Sequence, residues 1–190
     1  SQACVGCHTS IEAASAFLPA GCVSARQRVF ACGWSGVGEV PVDMWGFGET
    51  IALVEPIASR VRHAGFVRGA ELADSASFGV SPAEATAMDP CQRLLLEHGY
   101  AALRASSLER TALNGSLTGV FLGFAGSEFA GLLAASPAGG SVYAATGSTS
   151  SIAAGRLSYV LGLHGPCAAF ETACSASLVA CHSALRLSLI

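Results

Sequence analysis

The chain has 190 residues, 52% of them hydrophobic and 12% charged, with a formal net charge of −3. Its ten basic residues are all arginines, scattered without a basic stripe or interleaved aromatics, so nucleic-acid binding has no support, and the net negative charge offers no attraction to an anionic membrane surface. No apolar run reaches the roughly 18 residues of a spanning helix; the expectation is a soluble chain of one domain's size, burying roughly two-thirds of its unfolded surface, its apolar residues in a buried sheet or a large subunit contact.

Residues 1–38 keep no steady apolar period, and Gly33, Gly36 and Gly38 break any long element there, so that region is left open. Within it Cys4-Val5-Gly6-Cys7 has C-x-x-C spacing, but a lone pair supplies only two of the four ligands zinc wants, and no metal site is expected. No secretory signal pattern opens the chain, so its eight cysteines are expected as free thiols, not as a disulfide framework.

From residue 70 onward the elements are readable. Ser81-Pro82-Ala83-Glu84 supplies an N-cap, a proline at the first helical position and a capping-box glutamate, which predicts a short helix. Asp89-Pro90-Cys91-Gln92 repeats the device and predicts a second helix to about Ala105, with Leu96, Tyr100 and Leu103 along one face and Gly99 weakening its middle by about 1 kcal/mol. Leu117 to Phe124 is a continuous apolar run, predicted as a central strand buried on both faces. Glu128 to Ala135 reads as a short helix and Pro137 to Ser141 as a loop. Ser151 to Val160 reads as a helix ending near Gly162, where glycine takes the left-handed cap. No internal repeat or long linker marks a domain boundary.

The most informative stretch comes last. Gly165-Pro166 punctuates, and the small apolar residues from Cys167 to Thr172 read as a short buried strand. Ser175 to Leu187 reads as a helix, with Cys174, Leu178, Cys181 and Leu185 on one face. Strand, turn and helix therefore meet at Cys174. Backbone N–H groups and the positive end of a helix dipole favour a thiolate at such a junction, which parallels the nucleophile elbow of hydrolases. A free cysteine is equally often a small core residue, and position alone leaves both readings open.

The neighbouring motifs bear on the choice. Glu171-Thr172-Ala173-Cys174-Ser175-Ala176-Ser177-Leu178 resembles the D-T-A-C-S-S-S-L stretch around the nucleophile of β-ketoacyl synthases, particularly the ketosynthase domains of polyketide synthases. Glu39 to Trp45 resembles that family's E-V-P-x-x-x-W, and Phe78 to Ala85 its F-G-I-S-P-x-E-A. Met88 to Glu97 matches M-D-P-Q-Q-R-L-L-L-E except at Cys91, and Ser151 to Tyr159 resembles S-I-A-A-G-R-L-S-Y. The resemblance runs from about Glu39 to Ile190. Glu171 for the usual Asp and Ala176 for the usual Ser leave the cysteine in place but change the bracing of the elbow.

The resemblance implies an α/β fold, the N-terminal half of a thiolase-like layered α-β-α architecture with a mixed sheet. It makes residues 1–190 a single partial domain with 1–38 poorly matched. It implies a polyketide or fatty-acid chain-elongating acyltransferase, in which Cys174 takes an acyl group from an acyl carrier protein or coenzyme A thioester. Decarboxylative condensation with a malonyl thioester then follows, without cofactor or metal. The histidines and lysine that assist that step in the family belong to its C-terminal half, which is not expected within these residues. Nor do the chain's own histidines suggest a substitute: His8 is near the terminus, His63 is followed closely by Gly65, His98 lies within a helix and His164 within a turn. His182 is about 12 Å along the helix from Cys174 at ~1.5 Å per residue, and is expected as a partly buried structural residue. The family's strand before the nucleophile pairs with its twin, so a homodimer through Cys167 to Thr172 is implied. An intracellular setting, in the cytoplasm or a plastid-like organelle, is expected. Two alternatives stand beside this reading. One is a non-catalytic ketosynthase-like partner or scaffold, which usually lacks the cysteine. The other is a thiolase or acyl-loading enzyme of the same fold, disfavoured for thiolase by the Met88 to Glu97 block.

Overall fold

The computed structural model describes residues 37–40, 62–67, 69–70, 72–126 and 128–188. Contacts group the chain into two compact units, one within residues 15–72 and the other holding 73–188 of the described residues. The Cys4 to Cys7 pair, His8 and residues 41–45 of the Glu39 to Trp45 block lie outside the described residues.

In the first unit, strands β1 (Val37–Glu39) and β2 (His63–Gly65) pair antiparallel, with Val37 opposite Gly65 and Glu39 opposite His63. His63 Nε2 lies 3.9 Å from Glu39 Oε1, and Val40 N–H donates to the Arg62 carbonyl at 2.9 Å.

The second unit runs α1 (Pro82–Ala87), α2 (Pro90–Ala105), α3 (Arg110–Leu113), β3 (Val120–Gly123), α4 (Phe129–Ala134), α5 (Ala144–Ser148), α6 (Ser150–Leu161), β4 (Cys167–Phe170) and α7 (Ala176–Leu187). The two proline-led helices start as their caps dictate. Ser81 Oγ accepts from Glu84 N–H at 3.2 Å, and Asp89 Oδ1 accepts from Cys91 N–H at 2.7 Å. The capping box is only half used, because the Glu84 carboxylate pairs with Arg156 Nη1 instead of turning back on Ser81. Helix α6 ends as expected, with Gly162 at φ 67° in the left-handed cap.

Several expectations are corrected. The strand predicted over Leu117 to Phe124 begins only at Val120, and Leu117 is 83% exposed because the apolar run starts before the ladder to β4 does. Its central position is not seen: β3 is bonded to β4 alone among the described residues. Pro137–Gly140 is a 3₁₀ turn, not a loop. The helices α3 and α5 were not legible, being a turn or so long with little apolar periodicity. At Gly99 the missing side chain has a packing use: a Cβ there would lie 3.1 Å from Leu157 Cδ2, so α2 and α6 approach closely at this point.

Strands β3 and β4 are parallel, with Val120 opposite Cys167 and Gly123 opposite Phe170. Side chains alternate along a strand, so β3 presents two different faces. Val120 and Leu122 join the core of Leu113, Ala154, Leu161 and Leu163, to which α6 contributes, and Ala169 of β4 packs on the same cluster. The opposite face, at Gly123, meets the start of α7. The arrangement is helix, sheet, helix, as the layered α-β-α expectation requires.

The Met88 to Glu97 block forms the polar and apolar centre of this unit. Met88 and Leu96 pack with Val80, while Asp89 and Gln92 are each only 2% exposed. Gln92 Nε2 donates to the Thr146 and Thr149 carbonyls, both at 3.2 Å, and its Oε1 accepts from Arg156 Nε at 3.0 Å. One amide thus ties α2 to α5 and α6, which satisfies groups that would be costly to bury unpaired. No helix among the described residues is long and apolar enough to cross a membrane.

Candidate active site

Strand β4 ends at Phe170, whose carbonyl accepts from Phe124 N–H at 2.9 Å just beyond the end of β3. The chain then turns through Thr172 (φ −129°, ψ 41°) and Ala173, which takes φ 49°, a left-handed value uncommon for a residue with a Cβ. Ala173–Ser175 form a 3₁₀ turn that leads directly into α7. Cys174 sits in the middle of that turn, as an exposed free thiol, and does not belong to the core. The sequence placed it at the strand-to-helix junction; the 3₁₀ turn between the two is what the sequence did not disclose.

The turn is closed by its own backbone and by one hydroxyl. Ser175 N–H donates to the Thr172 carbonyl at 3.2 Å. Ser175 Oγ donates to the same carbonyl at 2.7 Å and lies 3.0 Å from Thr172 Oγ1. Cys174 thus stands just ahead of the first turn of α7, where the N–H groups of a helix point outward and the dipole is positive.

Helix α7 buries Ala176 and Ala180, each 4% exposed, and packs on β3 and β4. The face that carries Leu178, Cys181 and Leu185 points to solvent, with Leu178 75% exposed. The apolar spacing of that face was legible, but the small alanines do the packing because the strands approach closely. His182 is exposed, not partly buried, for the same reason. His98 lies on α2 and His164 is exposed in the turn before β4. Among the described residues no three His, Cys, Asp or Glu side chains converge as metal ligands.

Sequence reasoning passed over Gly123. A glycine inside an apolar strand signals a close backbone approach, and here the approaching element is α7. It also left unread the ion pair of Arg156 with Glu84, although single charged residues set in two otherwise uncharged motifs were a signal that they pair.

The architecture is that of the thiolase-like α/β fold, as solved neighbours show. A ketosynthase domain for oxazolomycin from Streptomyces albus JA3453 superposes with a TM-score of 0.78 at 30% identity, over 93% of this chain and 31% of that one. The ketosynthase from module 6 of the bacillaene synthase of Bacillus subtilis 168 does so with a TM-score of 0.75 at 27% identity, over 93% of this chain and 28% of that one. The chain belongs to the β-ketoacyl synthase family, matching the model of its N-terminal domain over residues 17–188. Among curated relatives, the spectinabilin polyketide synthase system protein NorC of Streptomyces orinoci is 46% identical over 131 residues, 69% of this chain and 6% of that protein. Mycoketide-CoA synthase of Mycobacterium tuberculosis is 50% identical over 127 residues, 67% of this chain and 3% of that protein. The chain therefore spans only a small part of the length of these relatives. The resemblance read from the motifs holds, and these relatives are polyketide synthases.

Proposed function

We propose that this chain is part of a polyketide synthase ketosynthase and that Cys174 is its acyl-accepting nucleophile. The observation that carries the reading is the exposed cysteine in a strained strand-to-helix turn, within the motif that resembles the family's nucleophile stretch. In the reaction, the Cys174 thiolate attacks the carbonyl carbon of an acyl thioester, presented by an acyl carrier protein or coenzyme A. A new carbon–sulfur bond forms at Cys174, the old one breaks, and the carrier leaves as its thiolate and takes up a proton. Condensation, in which a malonyl thioester loses carbon dioxide and its carbanion displaces Cys174, is the function of the longer protein, with residues 1–190 as one part of a single ketosynthase domain. No cofactor enters this reading.

A homodimer through β4 belongs to the same proposal. Among the described residues β4 is bonded along one edge only, to β3. The carbonyls of Pro166 and Phe170 accept from β3, so by alternation the amides of Cys167 and Ala169 point to the opposite edge. An open apolar edge of this kind favours pairing with a second copy.

The experiment is intact-protein and peptide mass spectrometry after incubation with a short-chain acyl N-acetylcysteamine thioester, with Cys174→Ala beside the wild type. The expected result is one acyl adduct that maps to Cys174 and is absent from the variant. A folded wild-type chain that acquires no adduct, or acquires it at another cysteine, would favour the scaffold reading instead.

A further inference from the structure

The end of β3 touches both arms of the turn that carries Cys174. Phe124 N–H holds the incoming arm through the Phe170 carbonyl at 2.9 Å, and Phe170 is the register partner of Gly123. The outgoing arm rests on Gly123 itself. A Cβ at that position would lie 2.5 Å from the Ala176 carbonyl carbon and from Ser177 N, and 2.7 Å from Ser177 Cα. All three are backbone atoms, so no change of rotamer relieves the overlap, and the first turn of α7 would have to move away from the strand. Between the two arms the backbone passes through the left-handed φ of Ala173 and is closed by the Ser175 hydroxyl on Thr172. Strain of that kind persists only where the surroundings fix it.

We propose that Gly123 and Ser175 are positioning residues for Cys174, Gly123 by admitting the start of α7 against β3 and Ser175 by tying the turn back to Thr172. The inference rests on the reading of Cys174 as the nucleophile. Neither residue touches the reacting atoms; each sets where the sulfur stands relative to the N–H groups at the helix start. A displacement of about 1 Å at a reacting group costs up to about 100-fold in rate.

The test is the rate of peptide-resolved alkylation of the chain by iodoacetamide at neutral pH, with Cys181 on the same helix as internal reference. Gly123→Ala and Ser175→Ala are compared with Ser175→Thr, which keeps the hydroxyl, and with Gly131→Ala, where a Cβ meets nothing within 4 Å. In G123A and S175A labelling of Cys174 is expected to slow about tenfold relative to Cys181, within the up to about 100-fold that a displacement of about 1 Å costs. S175T is expected to restore it and G131A to leave it as in the wild type. A purely structural role would alter all cysteines together. Ser175 is exposed, so S175A folds whatever becomes of G123A, and an unchanged Cys174 labelling rate in S175A overturns the proposal, as does an unchanged rate in folded G123A. Acyl transfer from the N-acetylcysteamine thioester separates the two readings. If the wild type takes no acyl group while alkylation still depends on Gly123 and Ser175, the nucleophile assignment fails and the positioning stands. If wild type and variants acylate alike, the positioning fails.

Discussion

Cys91 and Cys174 are both exposed free thiols, one at the start of α2 and the other in the turn ahead of α7. Desolvation of the Cys91 thiol, and then the Asp89 carboxylate beside it, push it from the ordinary 9.0 up to about 11. It is expected to stay protonated at neutral pH and to label with iodoacetamide far more slowly than an ordinary exposed thiol, with a midpoint near 11. Asp89→Asn keeps the cap but removes the charge, and should move that midpoint down. The folded form holds the Cys91 proton more tightly than the unfolded one, so its contribution to stability is complete below about 9.0 and lost as pH rises through about 11. Thermal melts of wild type and Cys91→Ser across that window measure the difference. At Ala173 the left-handed φ predicts a different trade: Ala173→Gly should raise stability by about 1 kcal/mol while slowing acylation of Cys174, as read by thermal denaturation and mass spectrometry together. At this scale the sequence named the cysteine, because the motif is contiguous. It did not name Gly123 or the strain at Ala173, which exist only once the strand and helix have come together.

Between elements, the decisive contacts join stretches far apart in sequence. Arg156 on α6 is bonded to both Glu84 on α1 and Gln92 on α2, with its side chain only 9% exposed. Glu84→Ala leaves that guanidinium short of its carboxylate and should cost about 3 kcal/mol, whereas Glu84→Ala with Arg156→Met should cost less than the single change. Chemical denaturation of the three proteins decides this. Where α2 crosses α6, Gly99→Ala sets a helix-propensity gain of about 1 kcal/mol against a crowded Leu157, and the two should nearly cancel. In a Leu157→Ala background the gain should reappear, which a double-mutant cycle measures. Caps were readable in advance because they are local: Ser81 and Asp89 bond amides two or three residues away. The buried face of α7 was not, because alanine and leucine are both apolar and only the approach of the strands selects Ala176 and Ala180 over Leu178 and Leu185.

Over the whole molecule, large apolar side chains stand at the surface, among them Val142 at 88%, Tyr159 at 87% and Leu178 at 75%. Such a chain is expected to self-associate as concentration rises, in line with the proposed pairing at β4. Sedimentation velocity over a dilution series should show a dimer that Ala169→Pro weakens, since proline removes an outward amide of β4 without touching its bonds to β3. A monodisperse wild-type monomer at high concentration would count against the dimer.

The parallel pairing of Val120 with Cys167 has a consequence in time. Its two strands lie 47 residues apart, so a large loop must close before either arm of the Cys174 turn has anything to rest on. Helices α2 and α6 need no such closure to begin forming. In a refolding experiment, selective labelling of Cys174 should therefore emerge with the slow phase that joins the strands, well after helical signal has recovered. Cys174 would then serve as a clock for the last step of assembly.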